Sequence, residues 1–289
     1  MEIKKDYPIG ELTTFKIGGN AQYFCTPQNL TEVIESLQFT QDGNFPLYIL
    51  GGGANILVAD TGVEGLVLST QKLDKVEIKD NLVSCECGIL INDLNKILIN
   101  SSLSGMEFSG GLPGSIGGAV FMNARCYGKE FSDIVESVVV LNENFKEEIL
   151  TKKDLDYSYK NSVFMRRDKL FIYKVNLKLE YGNKQEIEAL YQKNAVDRTQ
   201  KGQFEYPSAG CAFKNDYSFG ISTGKIIDEL NLKGISIGGA EVYLKHGNFI
   251  INKNNATASD VVKLIELVEK EVYEKKGIKL EREVRLIGF

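Results

Sequence analysis

Residues 110–118 read Gly110-Gly111-Leu112-Pro113-Gly114-Ser115-Ile116-Gly117-Gly118, five glycines in nine positions with one proline among them. Ordering a glycine costs more chain entropy than ordering any other residue, and proline presets a turn. A chain accepts that cost where its backbone must come close to something. Ser115 adds a hydroxyl suited to a phosphate oxygen. A second run, Gly51-Gly52-Gly53-Ala54-Asn55, lies between two apolar strand candidates, 47–50 and 56–58. Consecutive glycines expose backbone N–H groups to an anion without interference from Cβ. Neither run fits the Rossmann fingerprint, which needs G-x-G-x-x-G between a strand and a helix, and no Gly-Lys-Ser/Thr closes either run as a P-loop would. Two such loops could bracket a pyrophosphate, which points to a dinucleotide held outside a Rossmann fold. The plainer reading of 51–55 is a tight glycine turn between strands.

The 289 residues correspond to about two domains. Hydrophobic residues make up 43% and charged residues 25%, as in soluble globular proteins. With 34 basic and 39 acidic side chains the net charge is −5, whereas a nucleic-acid binder carries a basic field. No apolar run approaches the roughly 18 residues of a membrane span, and residues 1–12 lack a signal-peptide core. Neither a nucleic-acid nor a membrane partner is therefore expected. Five cysteines without framework spacing point to a reduced, cytoplasmic compartment. Cys85 and Cys87 have no second pair, so no metal site is expected.

Helices and strands alternate along the chain. Asn29 with Glu32 predicts a helix start, with Leu30, Val33, Ile34 and Leu37 on one face. A short helix is expected over 89–98, and β-rich segments over 134–141, 163–164 and 170–179. Ile187, Leu190 and Tyr191 mark a helix ending near Arg198, where the main boundary is placed. A loop over 206–210 leads into a strand over 211–214, then a short helix over 225–230. Thr257-x-x-Asp260 opens the clearest helix, lined by Val261, Leu264, Ile265, Val268 and Val272 and closed by Gly277. The chain then reads as a strand with Ile278, Leu280, Val284 and Leu286 on one face and Glu281, Glu283 and Arg285 on the other. This is an α+β or mixed α/β pattern, not a doubly wound one.

Seven motifs, in order, resemble those of the UDP-N-acetylenolpyruvoylglucosamine reductases, a family of bacterial flavoproteins. They are Thr13-Thr14-Phe15-Lys16-Ile17-Gly18-Gly19, the loop 50–55, residues 110–123, and Tyr159-Lys160-Asn161-Ser162-Val163-Phe164. Residues 206–215, Lys233-Gly234 with Ile237-Gly238-Gly239-Ala240, and Leu280-Glu281-Arg282-Glu283-Val284-Arg285 complete the set. They span nearly the whole chain, with the short spacing of the family's shorter form. The resemblance implies an α+β protein with an FAD-binding fold of the vanillyl-alcohol-oxidase (PCMH) type. Two α/β subdomains, about 1–70 and 71–197, would hold FAD, 198–283 would bind a UDP-sugar, and 284–289 would return as a strand to the FAD domain. It also implies that NADPH reduces FAD and leaves. UDP-N-acetylglucosamine enolpyruvate would then be reduced in the same cleft to UDP-N-acetylmuramate, a peptidoglycan precursor. A monomer is expected.

By the same resemblance, FAD would contact Gly51, Gly52, Gly53, Ala54, Asn55, Gly110, Gly114, Ser115, Gly117, Gly118, Asn123 and Arg198. Cys211 stands where the family has a serine proton donor; a thiol, ordinarily titrating near 8.5, is the better acid. Glu283 takes the place of the catalytic glutamate. Lys160 stands where the family has arginine and would neutralise the developing enolate with a point charge instead of a planar clamp; Arg166 is the alternative. Tyr159, Lys201, Asn215 and His246 would contact the UDP-sugar, with His246 open to a structural role. Ala54 replaces a serine, and Arg125 and Cys126 stand where small residues are expected. Taken without the resemblance, Cys211 reads as a small buried hydrophobe, Glu283 as a solvated partner of Arg285 or Lys279, and Lys160 as an exposed strand end. Two other functions fit less of the pattern: a different oxidase on the same fold, or a degenerate flavin- or nucleotide-binding module.

Overall fold

A computed structural model describes residues 1–167 and 169–289 and divides the chain into two compact units. Met1–Glu2, Cys25–Gly52 and Leu68–Arg198 form the first; Ile3–Phe24, Gly53–Val67 and Thr199–Phe289 form the second. The break after Arg198 falls at the expected main boundary, while two N-terminal segments group with the C-terminal part.

The first unit is built on a five-stranded antiparallel sheet, in the order Glu147–Thr151, Val135–Leu141, Phe171–Lys178, Leu82–Glu86, Val76–Lys79. Phe171, Tyr173, Val175 and Leu177 are all buried, as the two-residue repeat of a strand requires. Helix α1 (Leu30–Asp42) starts where expected, with the Asn29 side chain accepting the Glu32 N–H at 3.0 Å. Helix α2 (Ile91–Asn100) and helix α3 (Ile116–Phe121) bury Leu94, Leu98, Ile116 and Val120 in the same core as Val138, Val175 and Phe131. Cys85 and Cys87 are buried, and burial pushes both thiols up, that of Cys85 to about 12. On helix α4 (Lys184–Gln200), Ile187 and Tyr191 pack on Ile99. Leu190 was expected on that face but is 47% exposed, and Asn194 and Arg198 are buried instead.

The second unit holds an antiparallel sheet in the order Ser208–Cys211, Phe249–Asn252, Ala240–Val242, Ser236–Ile237. Helix α5 (Thr223–Glu229) and helix α6 (Ala258–Lys276) cover its core. Val261, Leu264, Ile265, Val268 and Val272 of α6 are all buried against it, as the sequence predicts. Thr257 and Asp260 form the expected capping box, and Gly277 closes the helix at φ +69. The Asp60 carboxylate accepts the N–H groups of Ala258 and Ser259 at 2.7 and 3.0 Å, placing negative charge at the positive end of the helix dipole. After α6 the chain comes back: Arg285–Ile287 pairs in parallel with Ile56–Val58.

Three sequence expectations shift. Residues 163–164 belong to a 3₁₀ turn, Val163–Met165, because the Met165 and Arg166 N–H groups close back on the Ser162 and Val163 carbonyls. The strand expected at 211–214 lies at Ser208–Cys211, where Gly210 at φ +76 sits within a register shift. The ladder at the end is confined to Arg285–Ile287, but its alternation holds. Val284 is buried, while Ile278, Leu280 and Leu286 pack partly on the core.

Leu264 is fully buried, so Leu264→Ala removes its transfer energy and leaves a cavity, lowering stability by about 2–5 kcal/mol. Urea unfolding measures this against the exposed control Lys263→Ala, expected within about 0.5 kcal/mol of the parent.

Candidate active site

In the first unit the two glycine loops touch. A Cβ on Gly52 would lie 2.5 Å from Gly114 Cα and 2.8 Å from Ser115 N, and one on Gly51 would strike the Ser115 hydroxyl. The loops therefore do not stand apart at these residues to bracket a group, because backbone fills the space. Other glycines of the second stretch also serve packing. Gly110 lies against the Tyr191 carbonyl of α4, and Gly117 leaves 2.8 Å between its would-be Cβ and that of Cys87.

What remains suits an anion. Among the described residues, the backbone N–H groups of Gly51, Gly52, Gly114 and Ser115 meet no protein acceptor. Water or an acceptor oxygen must satisfy them. The Ser115 hydroxyl caps α3, accepting the Gly118 N–H at 3.4 Å. A Cβ on Gly118 would meet only that hydroxyl, at 3.5 Å, so this side is open. Such a rim of bare N–H groups and small residues fits a dinucleotide pyrophosphate. The Arg198 guanidinium is buried behind it, donating from Nε to the Gly110 carbonyl at 3.0 Å and lying 5.4 Å from the Tyr127 ring.

Asn123 is fully engaged by the fold. Its Nδ2 donates to Glu130 and to the Ser158 carbonyl, and its Oδ1 accepts the Ser132 N–H. One of these bonds holds the turn that carries Tyr159 and Lys160, two residues enclosed by the reciprocal Ser158–Asn161 pair. Lys160 is half-buried at φ +53, and the Arg125 guanidinium lies 5.8 Å from the Tyr159 ring. Burial pushes the Cys126 thiol up, while Arg198 and Lys160 pull it down, so that sulfur faces both cations. Arg166 is paired with Asp156 at 2.5 Å on the surface.

In the second unit, Thr14 links the far end of the first loop to the strand bearing Cys211. Its hydroxyl donates to the Gly53 and Ser208 carbonyls, at 3.3 and 2.7 Å. Cys211 ends the strand opposite Phe249, half-buried against Tyr243, Phe249 and Ile251. Glu283 lies alongside: its N–H donates at 2.8 Å to the carbonyl of Ala212, the residue after Cys211. Asn55 braces Glu283, donating from Nδ2 to the Glu283 carbonyl at 3.0 Å while its own carbonyl accepts the Arg285 N–H. A bidentate Arg282–Glu269 pair, at 2.6 and 2.7 Å, ties the same segment to α6. The structure thus brings a thiol and a carboxylate onto neighbouring segments.

Asn215 accepts the Thr223 N–H at 2.9 Å, at the start of α5. His246 packs on Phe249 with ring centroids 4.3 Å apart, and its Nδ1 accepts the Asn248 N–H at 3.3 Å, which puts the neutral ring's proton on Nε2. Burial, reinforced by Lys201 and Lys233, pushes the imidazole below its usual range. Lys201 is exposed and Ala54 is half-buried. Three residues not singled out as binding residues lie against ones that were: Cys126 and Tyr127 by Arg198 in the first unit, and Asn248 by His246 in the second. Asn248 carried no motif signal, because its significance comes from a pairing 35 positions away.

The chain is similar to known proteins over nearly its whole length. A family profile described as the UDP-N-acetylenolpyruvoylglucosamine reductase C-terminal domain matches residues 202–287, and an FAD binding domain profile matches 21–145. The chain is 46% identical to a UDP-N-acetylenolpyruvoylglucosamine reductase of Borrelia garinii over 96% of this chain and 90% of that one. Identity to the corresponding Clostridium perfringens protein is 40%, over 99% and 93%. The crystal structure of the Thermus caldophilus reductase superposes with a TM-score of 0.82 at 32% identity, covering 99% and 98% of the two chains.

Two outcomes follow from these environments. Unfolding frees His246 to take up a proton that the folded chain resists, so its contribution to stability is full above about 6.5 and is lost as pH falls from there through the lower value of the folded chain. Urea midpoints between pH 5 and 8 should show this decline, with a shallower slope in His246→Gln. Gly118→Ala has room in the protein, so its Tm should match the parent. A rise in the Kd for FAD, read by fluorescence titration, would then report a ligand on the open side of the loop; an unchanged Kd would remove Gly118 from the FAD contacts.

Proposed function

The chain belongs to the UDP-N-acetylenolpyruvoylglucosamine reductase family and carries its FAD-binding PCMH-type domain, and from that premise we propose that it reduces UDP-N-acetylglucosamine enolpyruvate to UDP-N-acetylmuramate with NADPH, in peptidoglycan precursor synthesis. The observation that carries the reading is the Cys211–Glu283 arrangement, in which a thiol and a carboxylate are held on segments joined through Ala212. Residues 1–197 are assigned to FAD, 198–283 to the UDP-sugar, and 284–289 to the return strand.

FAD, when held by these residues, would supply hydride chemistry, with NADPH as the source and C3 of the enolpyruvyl group as the destination. The protein must then manage negative charge at C2 and on the carboxylate, and supply a proton. The Cys211 thiol donates that proton to C2 and is reprotonated from solvent. Glu283 shares a proton with the substrate carboxylate, so that two anions need not face each other unprotonated. Lys160 supplies the positive charge, with the turn at Ser158–Asn161 limiting the reach of its flexible stem. The N–H groups of Gly51, Gly52, Gly114 and Ser115 receive the FAD pyrophosphate. Gly53, Ala54, Asn55, Gly110, Gly117, Gly118, Asn123 and Arg198 complete or support that cradle. Tyr159, Lys201, Asn215 and His246 are assigned to the UDP-sugar. His246 enters as a neutral hydrogen-bond donor, consistent with its burial.

The test is an anaerobic titration. Absorbance of the purified flavoprotein should bleach with NADPH and return when the enolpyruvyl sugar is added. Bleaching that persists after the sugar would assign a different acceptor and defeat the reading. Cys211→Ser should retain turnover, and Cys211→Ala should lose roughly 10²-fold or more in the sugar half-reaction, the usual scale of a lost general acid. Wild-type reoxidation in Cys211→Ala would remove Cys211 from the chemistry.

A further inference from the structure

Within the second unit, one edge of the main chain just after Cys211 is held by a residue that no motif identified. Asn248 is 1% exposed. Its Oδ1 accepts the Phe213 N–H at 3.0 Å, and its Nδ2 donates to the Phe213 carbonyl at 2.7 Å. Its own carbonyl accepts the Ala212 N–H at 2.8 Å. One asparagine therefore satisfies three consecutive peptide groups next to Cys211. It lies beside Phe249, the residue opposite Cys211 in the ladder.

The ladder alone would leave this stretch loose, because its register is broken between Ser208 and Cys211 and Gly210 takes a left-handed φ of +76. A side-chain amide can copy the donor–acceptor pair of a strand partner where no strand partner exists. The Asn248 amide does so and extends the pairing two residues beyond Cys211. The other edge of the same stretch is taken by the returning segment, through the Glu283 N–H on the Ala212 carbonyl and the Lys214 N–H on the Glu281 carbonyl, both at 2.8 Å. Asn248 on one side and the Glu283 segment on the other thus fix Ala212, and through it the spacing of thiol and carboxylate.

We propose that Asn248 is a positioning residue for proton transfer from Cys211, acting by clamping the Ala212–Phe213 backbone rather than by touching substrate. This rests on the reductase reading above, with Cys211 as donor. Proton transfer is steep in geometry, and a displacement of about 1 Å costs as much as 10²-fold. A clamp of this kind is consequently expected in the rate of one step and not in binding.

Asn248→Asp keeps the shape and the acceptor for the Phe213 N–H but sets a carboxylate oxygen against the Phe213 carbonyl. Each half-reaction is followed by stopped flow in the FAD-loaded enzyme. The expected result is flavin reduction by NADPH at the parental rate, reoxidation by the enolpyruvyl sugar slowed roughly 10–100-fold, and KM for the sugar within about threefold. In a Cys211→Ala background, Asn248→Asp should add little further loss, since two residues serving one step are not additive. Asn248→Ala, which removes the clamp without adding charge, should show the same split. Reoxidation at the parental rate in both variants would overturn the proposal. Loss of FAD, misfolding, or equal slowing of both half-reactions would also overturn it, by showing a general structural role. If the unmutated enzyme is not reoxidised by the sugar at all, the reductase reading itself has failed.

Discussion

The arrangement of the second unit depends on one long-range constraint, the return of the chain beside Ile56–Val58. Parallel strands cannot be joined by a tight turn, so the pairing with Arg285–Ile287 brings together segments separated by most of the sequence. Loop-closure entropy opposes such a contact. It is offset by the α6 core, by the bidentate Arg282–Glu269 pair and by Asn55, whose bond to the Glu283 carbonyl spans 228 positions. Without that return, Glu283 would have no fixed relation to Cys211, and Ala212 would have a partner on one side only.

In the first unit, glycine does two different jobs in one stretch. Gly52 and Gly114 allow two loops to meet backbone to backbone, and Gly117 lets α3 approach Cys87. In the same loops the N–H groups of Gly51, Gly52, Gly114 and Ser115 have no acceptor among the described residues. Stability and anion binding are therefore not competing explanations for the glycines.

The sequence made the regular elements legible wherever the hydrophobic period was sustained. Helix α6, with its capping box and Gly277, and the alternating strand at Phe171–Lys178 are the clearest cases. Short apolar pairs misled: Val163 and Phe164 read as strand, but local i to i+3 bonding wound them into a turn. Leu190 read as core, but α4 turns Asn194 and Arg198 inward to serve the glycine loop. Motif order pointed to Cys211, Glu283 and Lys160, while nothing local pointed to Asn248, whose partners are main-chain atoms 35 residues away. A side chain that recognises backbone leaves no pattern in the residues that it recognises.

The discontinuity of the second unit has a bearing on the order in which the protein can take shape as it is made. Ile3–Phe24 and Gly53–Val67 are synthesised early, yet their compact unit is completed by Thr199–Phe289. At roughly 5–20 residues per second on the ribosome, residues 56–58 wait for about ten seconds or longer before 285–287 exist to pair with them. During that interval Leu57, fully buried in the finished protein, and the unpaired edge of its strand are open to solvent and to other chains. The first unit, by contrast, is translated in full by Arg198. Nascent chains of this protein thus pass through a stage with one finished half and one unfinished half, in which chaperone binding or aggregation would centre on the early segments that await the last strand.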